Sequence, residues 1–378
     1  MTGIIVACHL SRPQPPQPVL FVPGGPGMSS ISPYATLRKA AANKHIDWVT
    51  VEHRGVGLSR KDTSGADPKV SDVTLTAAAD DLAAALDAEG VAKATVYGAS
   101  YGTFLAQIFA VRHPERVNAL VLDSPMLDPQ DDLAMARAYR RQLLWDGTIE
   151  ETRELTPKIR KLAEIYPQAE LAHVVQVVYE FAGSQALSDL ADAWRAGRML
   201  RLWKWLATLG SDEVEGAGTP FLVEPDLVQG ISFGEAGYGL APDGGPLDPQ
   251  LFFVDAASRM LPYTGPPVDL RKATKNYRFP VLVLSGARDL RTSLPVAQRL
   301  ADLIPDAYLA IHPDHGHSFL DTHPFFALQV VDLVRSGNIQ AVAGHMDALR
   351  TIRQPAMPQL LWRVLAGSAW ISRLKMGY

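Results

Sequence analysis

The sequence predicts an α/β fold: a mostly parallel sheet flanked by helices, with a helical cap inserted between its two halves. Three observations predict it. Short apolar runs alternate with stretches whose apolar residues recur at helical spacing, the pattern of successive βαβ units. Gly98-Ala99-Ser100-Tyr101-Gly102 falls where one such run ends and a helix begins. The alternation breaks from about Asp128 to about Thr274 and then resumes, so the chain leaves the sheet and returns to it.

The elements follow in order. Strands are expected at Ile4–Leu10, Val19–Val22, Trp48–Glu52, Thr95–Tyr97 and Ala119–Asp123, each apolar and short. Helical periodicity lies between them at Tyr34–Ala42, Leu75–Glu89 and Tyr101–His113. The middle stretch is helix-rich, then loop-rich, with Trp194, Trp203 and Trp205 and a Gly/Pro tract around Tyr238–Pro249. A strand at Val281–Ser285, a helix near Val296–Leu303, a strand near Tyr308–Ile311 and a helix near Pro324–Arg335 complete the pattern. The expected organisation is a core over 1–127 and 275–336, a cap over 128–274, and a helical extension over 337–378.

Composition narrows the function. The chain has 378 residues, 47% hydrophobic and 20% charged, enough for a sizeable core. A net charge of -4 gives no sign of the concentrated basic face that nucleic acid requires. Cys8 is the only cysteine, which excludes an intrachain disulfide and a thiolate metal cluster. No basic segment precedes the apolar Gly3–Leu10 and no cleavage site follows it, so a cytoplasmic location is expected. No apolar run is long enough to span a bilayer, and membrane association is not expected.

The Gly-x-Ser-x-Gly stretch carries the chemistry. A serine on a sharp strand-to-helix turn takes a strained backbone, and side chains at its flanking glycines would collide with neighbouring elements. The turn exposes the Ser100 hydroxyl at the carboxyl edge of the sheet and aims the first N–H groups of the next helix at the reacting atom. A serine nucleophile needs a base, the base an orienting acid, and in this arrangement they follow in the order Ser, Asp/Glu, His. Asp289 fits the acid, on the turn Gly286-Ala287-Arg288-Asp289 after a strand; the competitor is Asp123, which ends the strand after the nucleophile helix. His317 fits the base, one strand later and preceded by Gly316, with His315 the competitor and His312 too near its strand. His312, Asp314, His315 and His317 also admit a metal reading, but one short loop offers no second ligand group, and no metal or cofactor is expected. Oxyanion donors are expected from the N–H groups of Gly25, in the loop Pro23-Gly24-Gly25-Pro26-Gly27, and of Tyr101.

Together these residues carry a family resemblance. The loop Pro23–Gly27, the segment Glu52-His-Arg-Gly-Val-Gly-Leu-Ser59 and the elbow Gly98–Thr103 resemble, in order, the α/β hydrolases of the proline iminopeptidase and tripeptidyl aminopeptidase group. So do Arg116-Val117, Val121–Asp123, Gly286–Asp289 and Gly316-His317. Proline at position 23 and Tyr-Gly-Thr after Ser100 resemble the tripeptidyl aminopeptidase branch more. The resemblance implies the α/β-hydrolase fold, Ser100 as nucleophile, Asp289 as acid, His317 as base, no cofactor, and a cap over the site. It also implies a structural Arg54, its guanidinium tying the loop to neighbouring carbonyls.

The expected activity is a serine hydrolase removing N-terminal residues from short peptides. The alternatives are a carboxylesterase or other acyl hydrolase on the same residues, a metallohydrolase, and a non-catalytic binding module. An aminopeptidase calls for carboxylates facing the substrate ammonium, and Glu213, Glu215, Glu224 and Glu235 are available in the cap, although surface roles are commoner for such residues. Trp203 and Trp205 are expected in core packing rather than on the pocket wall. Leu360–Leu365 and Ala369–Ile371, with Arg363, Arg373 and Lys375, form an amphipathic pattern expected to pack on the body or at a dimer contact.

Overall fold

The computed structural model describes residues 18–211, 214, 216, 218–353 and 356–374. The expected strand Ile4–Leu10, Cys8, Glu213, Glu215 and Lys375 lie outside them.

Among the described residues six strands form one parallel sheet: β1 (Val19–Val22), β2 (Trp48–Thr50), β3 (Ala94–Ala99), β4 (Val117–Asp123), β5 (Val281–Gly286) and β6 (Ala307–His312). Their order is β2-β1-β3-β4-β5-β6, every pair parallel, with β3 near the middle. Side chains alternate between two apolar layers, because successive residues of a strand face opposite sides. Leu20, Val22, Val96, Val281 and Val283 enter one layer. Val19, Phe21, Tyr97, Leu282 and Leu284 enter the other, where Phe21 stacks on Trp48 at 3.6 Å between ring centres.

Helices cover both layers. Helices α1 (Ala35–Asn43), α2 (Leu75–Ala88) and α3 (Tyr101–Arg112) connect the first strands. Thr74 caps α2 by accepting from the Ala77 N–H at 3.2 Å. After β4 the chain builds α4 (Pro129–Arg141), α5 (Thr156–Ala163), α6 (Gln168–Arg195) and α7 (Leu200–Ala207), and then a mostly irregular stretch that returns to β5. Helix α6 is kinked at Gly183, whose φ of 79° no helix accommodates. Helices α8 (Leu294–Leu303) and α9 (Pro324–Arg335) finish the sheet's coat.

The cap has its own core. Leu171, Val174, Val178, Leu190 and Trp194 of α6 pack with Ile159, Trp203 and Leu206. The last helix, α10 (Ala356–Leu374), lays Leu365 and Ala369 onto this same cluster and leaves Leu360, Trp370 and Ile371 exposed. Among the described residues no helix is long and apolar enough to cross a membrane.

Candidate active site

The site begins with a steric requirement. Ser100 sits between β3 and α3 at φ 52°, ψ −123°, a conformation that strains any residue with a side chain. A Cβ on Gly98 would lie 2.4 Å from the Gly102 carbonyl oxygen, and one on Gly102 only 2.0 Å from the Val22 oxygen. Both glycines are therefore forced by the approach of α3 to the sheet. The Ser100 N–H donates to the Asp123 oxygen at 2.8 Å, and the Thr103 hydroxyl holds the Ser100 carbonyl at 2.6 Å.

The structure brings Ser100, His317 and Asp289 together. The Ser100 hydroxyl donates to His317 Nε2 at 2.8 Å, and His317 Nδ1–H donates to Asp289 Oδ2 at 2.9 Å. Asp289 is fully buried and takes further donors from the Arg291 N–H (2.9 Å), the Thr292 N–H (3.0 Å) and the Thr292 hydroxyl (3.0 Å). Burial opposes the Asp289 carboxylate, but the charge and hydrogen bond of His317 outweigh it and hold the carboxyl below its ordinary value. Burial likewise opposes the His317 imidazolium, and the Asp289 charge and hydrogen bond overcome it, raising His317 above its ordinary value. A serine hydroxyl aimed at a histidine that a buried carboxylate orients is equipped for nucleophilic attack on an acyl carbon.

The loop carrying His317 is held from both sides. A Cβ on Gly286 would meet the Gly316 oxygen at 2.2 Å, and one on Gly316 would meet Glu180 Cβ at 2.8 Å. Gly316 thus admits the cap helix α6 as well as letting the loop close on the sheet. Asp123, the competing acid, is occupied elsewhere. It accepts from the Tyr97 hydroxyl and from the Phe319 and Leu320 N–H groups at 2.9, 3.1 and 2.9 Å, which anchors the chain just after His317. His315, the competing base, bonds Thr322 Oγ1 through Nε2 at 2.8 Å and stacks on Phe319. Among the described residues no group of three or more His, Cys, Asp or Glu side chains is placed to hold a metal ion.

The loop Pro23–Gly27 runs beside the serine. A Cβ on Gly24 would stand 3.4 Å from Ser100 Cβ. Gly25 follows at φ 124°, and Tyr101 opens α3, where the first N–H groups have no acceptor within the helix. Two residues of the Glu52–Ser59 segment bond close by, one to the chain just after the loop and one to the first residue of α3. Glu52 accepts from the Ser30 N–H at 2.5 Å, and His53 Nε2 bonds the Tyr101 hydroxyl at 2.9 Å. Arg54 reaches the Asp72 and Ala77 carbonyls at 3.0 and 2.9 Å as expected, and adds an ion pair to Asp81 at 2.6 Å.

The cap grips the same loop. The Ser29 N–H donates to the Leu222 oxygen at 2.9 Å, and the Glu224 N–H donates to the Gly27 oxygen at 2.8 Å. A Cβ on Gly27 would stand 3.0 Å from the Glu224 oxygen, so glycine there makes room for this pairing. The Tyr238 hydroxyl donates to the Gly25 carbonyl at 2.9 Å. Tyr238, Glu52, His53 and Glu180 are missed by the sequence reading. Glu52 and His53 lie in a segment singled out there, but no spacing points to Tyr238 or Glu180.

The remaining candidates are spent on the fold. Glu224 accepts from the Gly57 N–H at 2.6 Å and pairs with Arg60 at 3.4 Å. Glu235 accepts from the Leu75 N–H at 2.8 Å, and burial raises its carboxyl. Trp203 is buried, stacks on Tyr166 and donates to Glu170 at 2.7 Å. Trp205, expected in the core, is instead exposed: it is two residues on from Trp203, which puts it on another face of α7.

The chain has the α/β hydrolase fold. Residues 17–163 match the α/β hydrolase fold family. Among solved structures, a proline iminopeptidase of Mycobacterium smegmatis is similar at TM-score 0.50 and 18% identity, over 87% of this chain and 92% of that one. A serine hydrolase of Cycloclasticus zankles is similar at TM-score 0.46 and 18% identity, over 85% and 90%. A meta-cleavage product hydrolase of Pseudomonas fluorescens is similar at 0.45 and 18%, over 85% and 92%. At these identities the likeness is one of fold.

Proposed function

We propose that the protein is a serine hydrolase acting through an acyl-enzyme. Ser100 attacks the acyl carbon as His317 takes its proton. Asp289 orients His317 and stabilises the imidazolium, and the N–H groups of Gly25 and Tyr101 receive the oxyanion. His317 then protonates the leaving group, and water releases the acyl half by the same route. The observation that carries this reading is the unbroken hydrogen-bond chain from Ser100 Oγ through His317 to Asp289. A fluorophosphonate should label Ser100, and Ser100→Ala should lose the label and on the order of a million-fold in kcat. Substantial activity in that variant would sink the assignment.

We further propose that the substrates are short peptides with a free N-terminus. The motif combination of Pro23–Gly27, Glu52–Ser59 and Gly98–Thr103 supports this. Ester hydrolysis is the second reading. It is favoured by Glu224 and Glu235, whose carboxylates are already engaged by the protein's own N–H groups. Turnover of tripeptidyl and aminoacyl anilides beside short nitrophenyl esters separates the two. Refusal of N-acetylated peptides with acceptance of their free-amine forms supports the aminopeptidase; equal cleavage of both puts the acyl hydrolase in front.

A further inference from the structure

The turn that carries Asp289 is held by the cap as well as by the sheet. On the sheet side, the Ala287 and Arg288 N–H groups donate to the His312 and His315 carbonyls, both at 2.9 Å. On the cap side, α4 and α6 reach the turn with three side chains. The Tyr139 hydroxyl donates to the Ala287 carbonyl at 3.4 Å. The buried Arg140 donates to the Leu290 carbonyl at 3.4 Å, and also to the Ala172 carbonyl and the Gln176 amide oxygen of α6 at 2.7 and 2.6 Å. The buried Glu180 accepts from the Leu290 N–H at 3.0 Å. Both backbone polar groups of the residue after the acid are thus taken by buried cap side chains, and the Leu290 side chain lies in the cap's own apolar cluster.

Helix α6 makes room for this contact. At its kink, a Cβ on Gly183 would stand 3.0 Å from the guanidinium carbon of Arg288. Three residues earlier, Glu180 packs on Gly316, just before the base. Glu180 therefore stands between the turns that bear the acid and the base. Burial there raises its carboxyl, and the Arg291 guanidinium, 3.3 Å away, opposes the rise.

The three N–H groups that follow Asp289 are divided between two carboxylates. Those of Arg291 and Thr292 go to Asp289 Oδ1, and that of Leu290 goes to Glu180. Asp289 Oδ2 takes the Thr292 hydroxyl and His317 Nδ1–H. A buried N–H is costly to leave without an acceptor. Asp289, one residue back, is the alternative carboxylate for it, and turning that way would draw Asp289 from its bond to His317.

We propose that Glu180 is a positioning residue for the acid: by taking the Leu290 N–H it leaves Asp289 turned to His317. The proposal rests on the reading of Asp289 as the group that orients His317. It makes a cap side chain part of what aligns proton transfer at Ser100, without contact to substrate or the reacting atoms.

Two variants separate acceptance of that N–H from plain packing. Glu180→Gln keeps the length and an oxygen that accepts the N–H; Glu180→Leu fills the space beside Gly316 and accepts nothing. In Glu180→Leu, kcat on a short nitrophenyl ester should fall about tenfold or more with KM little changed, and Glu180→Gln should restore most of it. The proton on His317 Nδ1 gives a readout that needs no turnover. Its NMR resonance lies far downfield while a carboxylate accepts it. It should move upfield or broaden in Glu180→Leu and stay in place in Glu180→Gln. The melting temperature shows whether the fold is kept. If Glu180→Leu does not fold, Glu180→Asp replaces it: its carboxylate falls one methylene short of the N–H, and the same two losses are expected. A lowered melting temperature with kcat and the resonance unmoved, or equal losses in the Leu and Gln variants, overturns the proposal. Failure of the hydrolase reading shows separately, as absence of fluorophosphonate labelling at Ser100 in the unmodified chain.

Discussion

The sheet edge and the cap both shape the site, but they do so by different means. At the sheet edge the main chain fixes position. Ser100 and Ser318 sit at φ 52° and 56°, and Gly98, Gly102, Gly286 and Gly316 mark places where one backbone touches another. In the cap, much of the work is done by side chains reaching across irregular structure, as Tyr238 reaches Gly25 and Glu224 reaches Gly57. The difference has a physical root. A close backbone approach tolerates one residue type, whereas a reaching side chain needs only length and a polar end.

The largest effect expected from this contrast is steric. Gly102→Ala puts a methyl 2.0 Å from the Val22 oxygen and should cost several kcal/mol, at least ~3, or prevent folding. Gly234→Ala in the cap meets nothing closer than Thr264 Oγ1 at 3.8 Å and should stay within about 1 kcal/mol. Urea unfolding of the two variants measures the difference; equal losses would erase the distinction between the regions.

A smaller effect sharpens the comparison from the cap side. Tyr238→Phe deletes one hydroxyl and its bond to the Gly25 carbonyl. If Tyr238 helps hold the Pro23–Gly27 loop, and that loop receives the oxyanion as proposed, kcat should fall about tenfold with KM and melting temperature little changed. An unchanged kcat would mean that the Tyr238 contact does not position the loop.

The smallest effect concerns acid. Burial pushes His312 and His323 down to about 4, and also lowers His315, in the cluster behind the His317 loop. The unfolded chain takes up these protons near the ordinary histidine value, ~6.5, so between there and about 4 it binds more protons than the folded chain. Stability from these groups is full above that range and is lost as pH falls through it. The buried Asp123 and Asp132 carboxyls, raised to about 6 and about 7, act in the opposite direction, so the readout is the difference between proteins: as pH falls through this window, His323→Phe should lose less melting temperature than the unmodified chain. An identical slope in the variant would show that acid acts elsewhere.

The same contrast explains what was legible in the sequence. The alternation of strands and helices through β1–β6 could be read because β1 to β5 are short apolar runs buried almost throughout, while helices such as α1 and α2 bury one apolar face. Ser100, Asp289 and His317, which the structure brings together, could be picked out because each lies in the short connection that follows a strand, after Ala99, Gly286 and His312 respectively. The long-range contacts around them could not. Tyr238 falls in a Gly/Pro tract with no periodicity, and Glu180 is one more residue of a helix whose partner lies 110 residues away at Leu290. Trp205 misled because a tryptophan suggests burial, while its register on α7 turns it outward.

The pairing of Gly27 and Ser29 with Glu224 and Leu222 carries one more consequence. It makes the cap a graft with a required fitting. A cap transplanted from another protein of this fold must bring a short extended segment that lies along the Pro23–Gly27 loop, whatever its helices do. A deletion that shortens α5 to α7 while sparing that segment leaves the loop its partners. The helical half carries one such fitting in α6, where Glu180 packs on Gly316 and takes the Leu290 N–H, whereas the stretch around Leu222 to Tyr238 is bound to the loop at three points.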